Sequence, residues 1–297
     1  MKQRIANAGR GTFRSMRSRN FRLFFAGQGI SQVGNWLTLV AQALLVLKLT
    51  GNGFAVGVLT ACQFAPVLLF GAWAGLVADR ADKRRLLIGV QCFAMVQSFA
   101  LAALAFSGNP PVLAIYAVAV AGGIATAFDN PARRSFVVEM VDEPDVQNAV
   151  SLNSALMTSS RIVGPAMAGL LIATVGYGWC FLVDGLSYIA VIAGLKMMDP
   201  AKLRRSAPVA RAERQVREGL SYARRTPDLW IPLVMMTIVG TFAFNFQVVL
   251  PLFVTRTFGG TDATFTVLLS VVSVGSLTGA LAMARRNETA VRHVIAA

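Results

Sequence analysis

The chain reads as an all-α protein embedded in a lipid bilayer, and three features of its 297 residues say so. Hydrophobic residues make up 55% and charged residues only 14%, against roughly 25% charge in a soluble domain. The apolar residues gather into eight runs, each near the ~20 residues that a helix needs to cross a hydrocarbon layer of about 30 Å. Of the 28 lysines and arginines, all but Lys48, Arg161 and Arg256 fall before the first run or in every second connection. That alternation is the positive-inside pattern and puts the N-terminus in the cytoplasm. The net charge of +14 is therefore an orientation signal, not a nucleic-acid surface.

The spans are expected, in order, at 23–47, 54–78, 86–107, 111–129, 152–175, 179–197, 229–251 and 264–284. Residues 1–22 form a basic cytoplasmic tail, not a secretory signal, because the apolar run after Arg22 is too long and no small-residue cleavage site follows it. The outer connections are short turns rich in Gly, Asn and Pro: Gly51-Asn52-Gly53, Ser107 to Pro111, Gly176-Tyr-Gly178 and Gly259 to Asp262. The inner connections carry the charge, most tightly in Gly75-Leu-Val-Ala-Asp79-Arg80-Ala-Asp82-Lys83-Arg84-Arg85. Residues 198–228 are the longest polar stretch and divide six spans (23–197) from two (229–284), with Glu213 to Arg225 expected as a surface helix. Gly71-x-x-x-Gly75 closing span 2 is echoed by Gly275-x-x-x-Gly279 closing span 8, as parallel halves would require. Chance recurrence of small-residue pairs is the other reading. Residues 285–297 would begin the next loop or helix.

Polar residues inside apolar spans carry the functional signal, because lipid satisfies no hydrogen bond. In span 1, Gln28, Ser31, Gln32, Asn35, Thr38 and Gln42 fall within roughly 120° of one face at 100° per residue. Such a stripe faces either neighbouring helices, as interhelical glue, or a water-filled cavity. Span 5 carries Ser151, Ser154, Thr158 and Arg161, and span 6 carries Asp184, Ser187 and Tyr188. A charge inside a span costs about 2.5–3.5 kcal/mol or more, so Arg161 and Asp184 are expected to face the interior. They are either packing charges or a substrate-anion site at Arg161 with a protonatable carboxylate at Asp184. Counting from the outer turn sets them at different depths, which argues against a direct pair. Asp79, at the inner end of span 2, is expected to cap the positive end of a neighbouring helix.

The motif Gly75-x-x-x-Asp79-Arg80-x-x-Lys83-Arg84 resembles the loop between helices 2 and 3 of the major facilitator superfamily, with Asp82 in place of the usual second glycine and Lys83 in place of an arginine. Three further stretches look like its bacterial drug and siderophore exporter branch, typified by the enterobactin exporter: Ala127-Phe-Asp129-Asn130-Pro131-Ala-Arg133, Arg161-Ile-Val-Gly164-Pro165-x-x-x-Gly169, and Glu218 to Pro227. The resemblance runs from about Asn20 to Arg286 and implies a twelve-helix fold, of which the sequence would hold the N-terminal six-helix bundle and the first two helices of the C-terminal one. It implies that Gly75, Asp79, Arg80, Arg84, Arg85 and Asp129 belong to a charge latch, with Arg84 or Arg85 reaching Asp129 and a partner on an eleventh helix. It also implies that the span 1 stripe, with Gln28, Ser31, Gln32 and Asn35, borders the central path, joined by Thr158 and Arg161.

The expected function is a secondary transporter of the bacterial cytoplasmic membrane, exporting amphipathic small molecules or siderophores by alternating access. Proton coupling is implied by the resemblance, with Asp184 the candidate carrier. The alternative is a non-transporting truncated membrane protein with a scaffold or regulatory role. An enzyme is not expected. His293 is the lone histidine, Cys62, Cys92 and Cys180 stand in separate spans, and no phosphate-binding Gly-rich loop occurs. No cofactor, no metal and no obligate protein partner is indicated.

Overall fold

The computed structural model describes residues 13–204, 221–242 and 246–284, and among them there are helices and turns but no strand. Among the described residues six helices are long and apolar enough to cross a membrane: α1 Arg19–Thr50, α2 Gly53–Arg80, α3 Lys83–Phe106, α4 Val112–Glu139, α5 Val146–Thr174 and α6 Tyr177–Met197. Three more follow, α7 Pro227–Phe242, α8 Phe246–Thr257 and α9 Asp262–Ala284. Helices α7 and α8 cover the expected seventh span. They flank 243–245, which lie outside the described residues, and α8 runs on to Thr257 before the turn. Tail residues 1–12, residues 205–220, which include most of the expected surface helix from Glu213, and 285–297 also lie outside them; 221–225 are helical.

Local chemistry sets the helix ends. Gly51 closes α1 at φ 60°, a left-handed conformation that glycine adopts without strain, and its N–H returns to the Leu47 carbonyl at 2.8 Å. Asn52 then opens α2, its side chain accepting the Phe54 N–H at 3.0 Å. At the inner turn a different acid from Asp79 caps the next helix. Asp82 caps α3, accepting the Arg85 N–H at 3.1 Å, while Asp79 is exposed at the end of α2. Helix α4 also corrects the sequence reading. It continues ten residues past the expected end at 129, so Arg133 lies on a helix and is 6% exposed instead of sitting in a solvated loop.

Close packing rests on residues without side chains. A Cβ on Gly123 of α4 would stand 2.4 Å from the Gln63 carbonyl oxygen of α2, and one on Gly164 of α5 would stand 2.2 Å from Trp36 of α1. These glycines let the backbones approach as membrane helices require. Gly71, Gly75 and Gly275 of the echoed motif meet nothing within 4 Å in this way.

Along the helix axes the core falls into two apolar layers, called outer and inner after the orientation that the charge pattern predicts. The outer layer gathers Leu37, Leu44, Leu101, Ile115 and Phe181 with Val254, Phe265 and Leu269 from α8 and α9. The inner one gathers Phe21, Phe24, Leu87, Phe136 and Leu195. Between them, on α1, α3, α4 and α6 alike, the sequence turns polar: Gln28 to Thr38, Gln91 to Ser98, Asp129 to Arg133, and Asp184 to Ser187.

The polar cavity between the apolar layers

The polar band encloses a cavity of about 180 Å³. All six residues of the α1 stripe, Gln28, Ser31, Gln32, Asn35, Thr38 and Gln42, line it. Asp184 and Tyr188 come from α6, Gln91 and Gln97 from α3, Gln63 from α2, and Asp129 with the Gly122-Gly123 pair from α4. One acid of this set, Asp129, stands at the inner end of the cavity, and the other, Asp184, stands where α1, α3 and α6 meet.

Two networks frame the space. In the first, Asp129 binds Arg133 one turn on at 2.9 Å and accepts the Gln91 Nε2–H at 2.8 Å. Arg133 donates onward to Gln28 Oε1 at 3.3 Å and to Asn130 Oδ1 at 3.0 Å, and Gln32 donates to Gln28 at 3.2 Å. Burying a guanidinium is tolerable here because its charge is cancelled by Asp129 and its N–H groups are spent on side-chain oxygens. In the second, Asp184 Oδ2 accepts the hydroxyls of Thr38 and Ser98, each at 2.7 Å. Asp184 is 1% exposed. Gly34 makes this fit: a Cβ there would lie 2.7 Å from both Asp184 Oδ1 and Ser187 Oγ. Gln63 bonds Gln42 at 2.8 Å, tying α2 to α1 across the outer side of the cavity.

The other sequence candidates lie elsewhere. Thr158 returns its hydroxyl to the Ser154 carbonyl at 3.0 Å, and Arg161 is exposed on α5 with its guanidinium 5.8 Å from the Trp36 ring centre. Neither lines the cavity. Among the described residues an aromatic face, not a buried counter-charge, receives the Arg161 cation. At the inner ends, Arg84 does not reach Asp129. Its guanidinium donates to the carbonyls of Leu195 and Lys196 that close α6, at 2.6 and 2.9 Å, where unsatisfied carbonyls attract a cation. Lys83 pairs with Glu139 at 2.7 Å, both under 10% exposed. Arg80 is half-buried, and Arg85 borders a shallow apolar groove with Phe93 and Phe128.

Sequence reasoning missed Gln63, Gln91, Gln97 and Glu139. The signal for the three glutamines was present, since a lone carboxamide in an apolar span needs a partner as much as a stripe does. Glu139 gave no such signal, because it sits where helix and loop are hard to tell apart.

Residues 10–296 match the model of the transmembrane secretion effector family. The Staphyloferrin A transporter of Staphylococcus aureus is 25% identical over 88% of this chain and 66% of its own length. Macrolide efflux protein A of Streptococcus pyogenes is 24% identical over 88% of this chain and 65% of its own. Multidrug efflux pump Tap of Mycolicibacterium fortuitum is 25% identical over 84% of this chain and 63% of its own. The chain spans just under two thirds of the length of these relatives. It belongs to the transmembrane secretion effector family, within the drug and siderophore exporter branch of the major facilitator superfamily.

Proposed function

We propose that this member of the secretion effector family works as a proton-coupled exporter, moving amphipathic small molecules or siderophores outward across the bacterial cytoplasmic membrane by alternating access. One observation carries the reading. Four helices of the six change from apolar to polar at the same level and enclose a cavity there. Lipid would make such a band costly unless it faces partners or water, and a site between two apolar layers is where a rocking transporter holds its cargo. The names of the relatives, one for a siderophore and two for efflux of drugs, favour this over a non-transporting scaffold.

In this reading Gln28, Ser31, Gln32 and Asn35 contact cargo, Asp184 carries the proton, and the N-terminus lies in the cytoplasm. Asp79 and Arg80, with Gly75 giving close approach, form the latch at the inner face. Arg84 and Arg85 support that latch from α3, with Arg84 bracing the end of α6. The polar band, through Asp129 and Arg133, links it to the cavity.

The test is uptake into everted membrane vesicles carrying this chain, with erythromycin or an iron-free siderophore as cargo and an imposed pH gradient. Gradient-dependent uptake that is lost in Asp184→Asn supports the proposal. Uptake indifferent to the gradient removes the proton, and no uptake of either cargo removes the exporter.

A further inference from the structure

Helix α1 carries a second recess, roughly 130° around its axis from the polar stripe at 100° per residue. An apolar groove of about 470 Å³ runs there between α1 and α5, along Phe25, Gly29 and Val33 of α1 and Leu152, Leu156 and Val163 of α5. Phe13 lines its inner end. At Gly29 and Val33 it joins a further groove of about 510 Å³, which passes Ile30 and Leu37 toward α6. The setting suits hydrocarbon. On α5 the polar Ser154, Thr158 and Arg161 hold one side, and the exposed Val163, Met167 and Leu170 lie about 180° from them. Val163 and Met167 are the ones that line the grooves.

The inner mouth of the groove is cationic. Arg22 stands on the same strip of α1 as Gly29 and Val33, within about 20° of each, and Arg19 precedes it on the same face. Both are exposed, as is Arg17 in the 3-10 turn Arg14–Arg17 that follows Phe13. That turn is pinned to α5, where Asn148 Oδ1 accepts the Ser15 N–H at 3.0 Å and its hydroxyl at 2.7 Å. Arg17, Arg19 and Arg22 pair with no acid among the described residues, and Asp142, Asp145 and Asp199 are spent on Arg204, Arg14 and Lys202. From Arg22 to Val33 is about 16 Å at 1.5 Å per residue, which matches one leaflet, half of the ~30 Å hydrocarbon core.

We infer that this groove binds an anionic phospholipid of the inner leaflet, with its phosphate on Arg22 and Arg19 and one acyl chain along Phe25, Gly29 and Val33. A guanidinium matches phosphate oxygens two at a time, and basic recesses between membrane helices on the cytoplasmic side take anionic headgroups. The bound lipid ties the N-terminal turn, α1 and α5 together at their inner ends. The inference rests on the reading that the N-terminus is cytoplasmic, and on neither cargo nor proton coupling.

The experiment is native mass spectrometry of the full chain in detergent, titrated separately with dioleoylphosphatidylglycerol and dioleoylphosphatidylcholine, which share their chains and differ in headgroup charge. The first phosphatidylglycerol is expected to bind at least about fivefold more tightly than the first phosphatidylcholine, the worth of one arginine near an anionic headgroup. Arg22→Gln should weaken phosphatidylglycerol by about that factor, and Arg19→Gln with Arg22→Gln should abolish the preference. Arg134→Gln removes an exposed cation of α4 that lies off the groove, and should change nothing. Val163→Trp fills the groove with the charges intact and should weaken both lipids. Equal binding of the two lipids overturns the inference. So does a loss in Arg134→Gln as large as in Arg22→Gln, or full lipid affinity in Val163→Trp. A dimer that added lipid leaves intact and Val163→Trp removes would give the groove to a second copy of the chain, and also overturns it. If Val163→Trp does not fold, the lipid pair and the arginine variants decide. Failed uptake in vesicles with the lipid preference kept would sink the exporter and leave this inference standing. Uptake without the preference would sink the inference alone.

Discussion

Two polar regions of the chain are built from the same kinds of residue and end in opposite states. At the inner ends of the helices several buried or half-buried charges are spent on partners. Lys83 meets Glu139, Arg84 meets the carbonyls closing α6, Arg14 meets Asp145, and Asn20 exchanges two hydrogen bonds with Asp199 at 2.9 and 3.0 Å. In the band between the apolar layers, two buried acceptors, Asp184 Oδ1 and Gln91 Oε1, meet no donor among the described residues. A satisfied network holds helices in register. An unsatisfied one weakens that hold.

The contrast is sharpest where a partner is removed. Glu139→Ala would strand the Lys83 ammonium, 7% exposed, inside the inner layer. We expect a loss of about 3–5 kcal/mol, the cost of an uncompensated buried charge, read as a large fall in the thermal midpoint of the chain in detergent. The double variant Lys83→Met with Glu139→Leu should restore most of it. Were the single change harmless, the inner network would not be holding the fold.

Gly34→Ala acts on the cavity side. Its methyl would press on Asp184 Oδ1 and Ser187 Oγ at 2.7 Å and on Asp184 Cα at 3.1 Å. Overpacking of this kind costs about 1–3 kcal/mol, and the shifted carboxylate should impair cargo binding as well. A variant with unchanged midpoint and binding would mean that Asp184 is not held as described. Thr38→Val removes one hydroxyl from Oδ2 at a cost of about 1 kcal/mol, with a larger effect on cargo binding than on stability. Arg161→Gln is expected to do least, within about 0.5 kcal/mol and without effect on cargo binding, because its cation rests on an exposed aromatic face. A strong transport defect there would return Arg161 to the cargo path.

The sequence made the α1 stripe legible because six polar residues at helical spacing in an apolar run have few ways to be satisfied. It made Asp184 legible because one acid in a span is costly. It left two roles open for the stripe, and only the meeting of α1 with α2, α3, α4 and α6 separates them. It left the cap of α3 unread. Asp82 stands directly before Lys83-Arg84-Arg85, the usual place of a capping side chain, but the motif drew attention to Asp79. Arg133 was counted as a loop cation because the apolar run gives out near 129, although nothing in the residues that follow ends the helix, and Pro131 is tolerated inside α4.

The central claim is that the polar band encloses an aqueous cavity and is not merely glue between helices. The most direct measurement is the labelling of single cysteines, in a background free of Cys62, Cys92 and Cys180, with a charged thiol reagent in membrane vesicles. Asn35→Cys and Gln97→Cys line the cavity. Leu68→Cys and Val96→Cys are 85% and 63% exposed and do not line the cavity. The account predicts labelling at 35 and 97 and none at 68 and 96. Silence at 35 and 97, matching positions 68 and 96, would contradict it and make the band a dry interhelical seam.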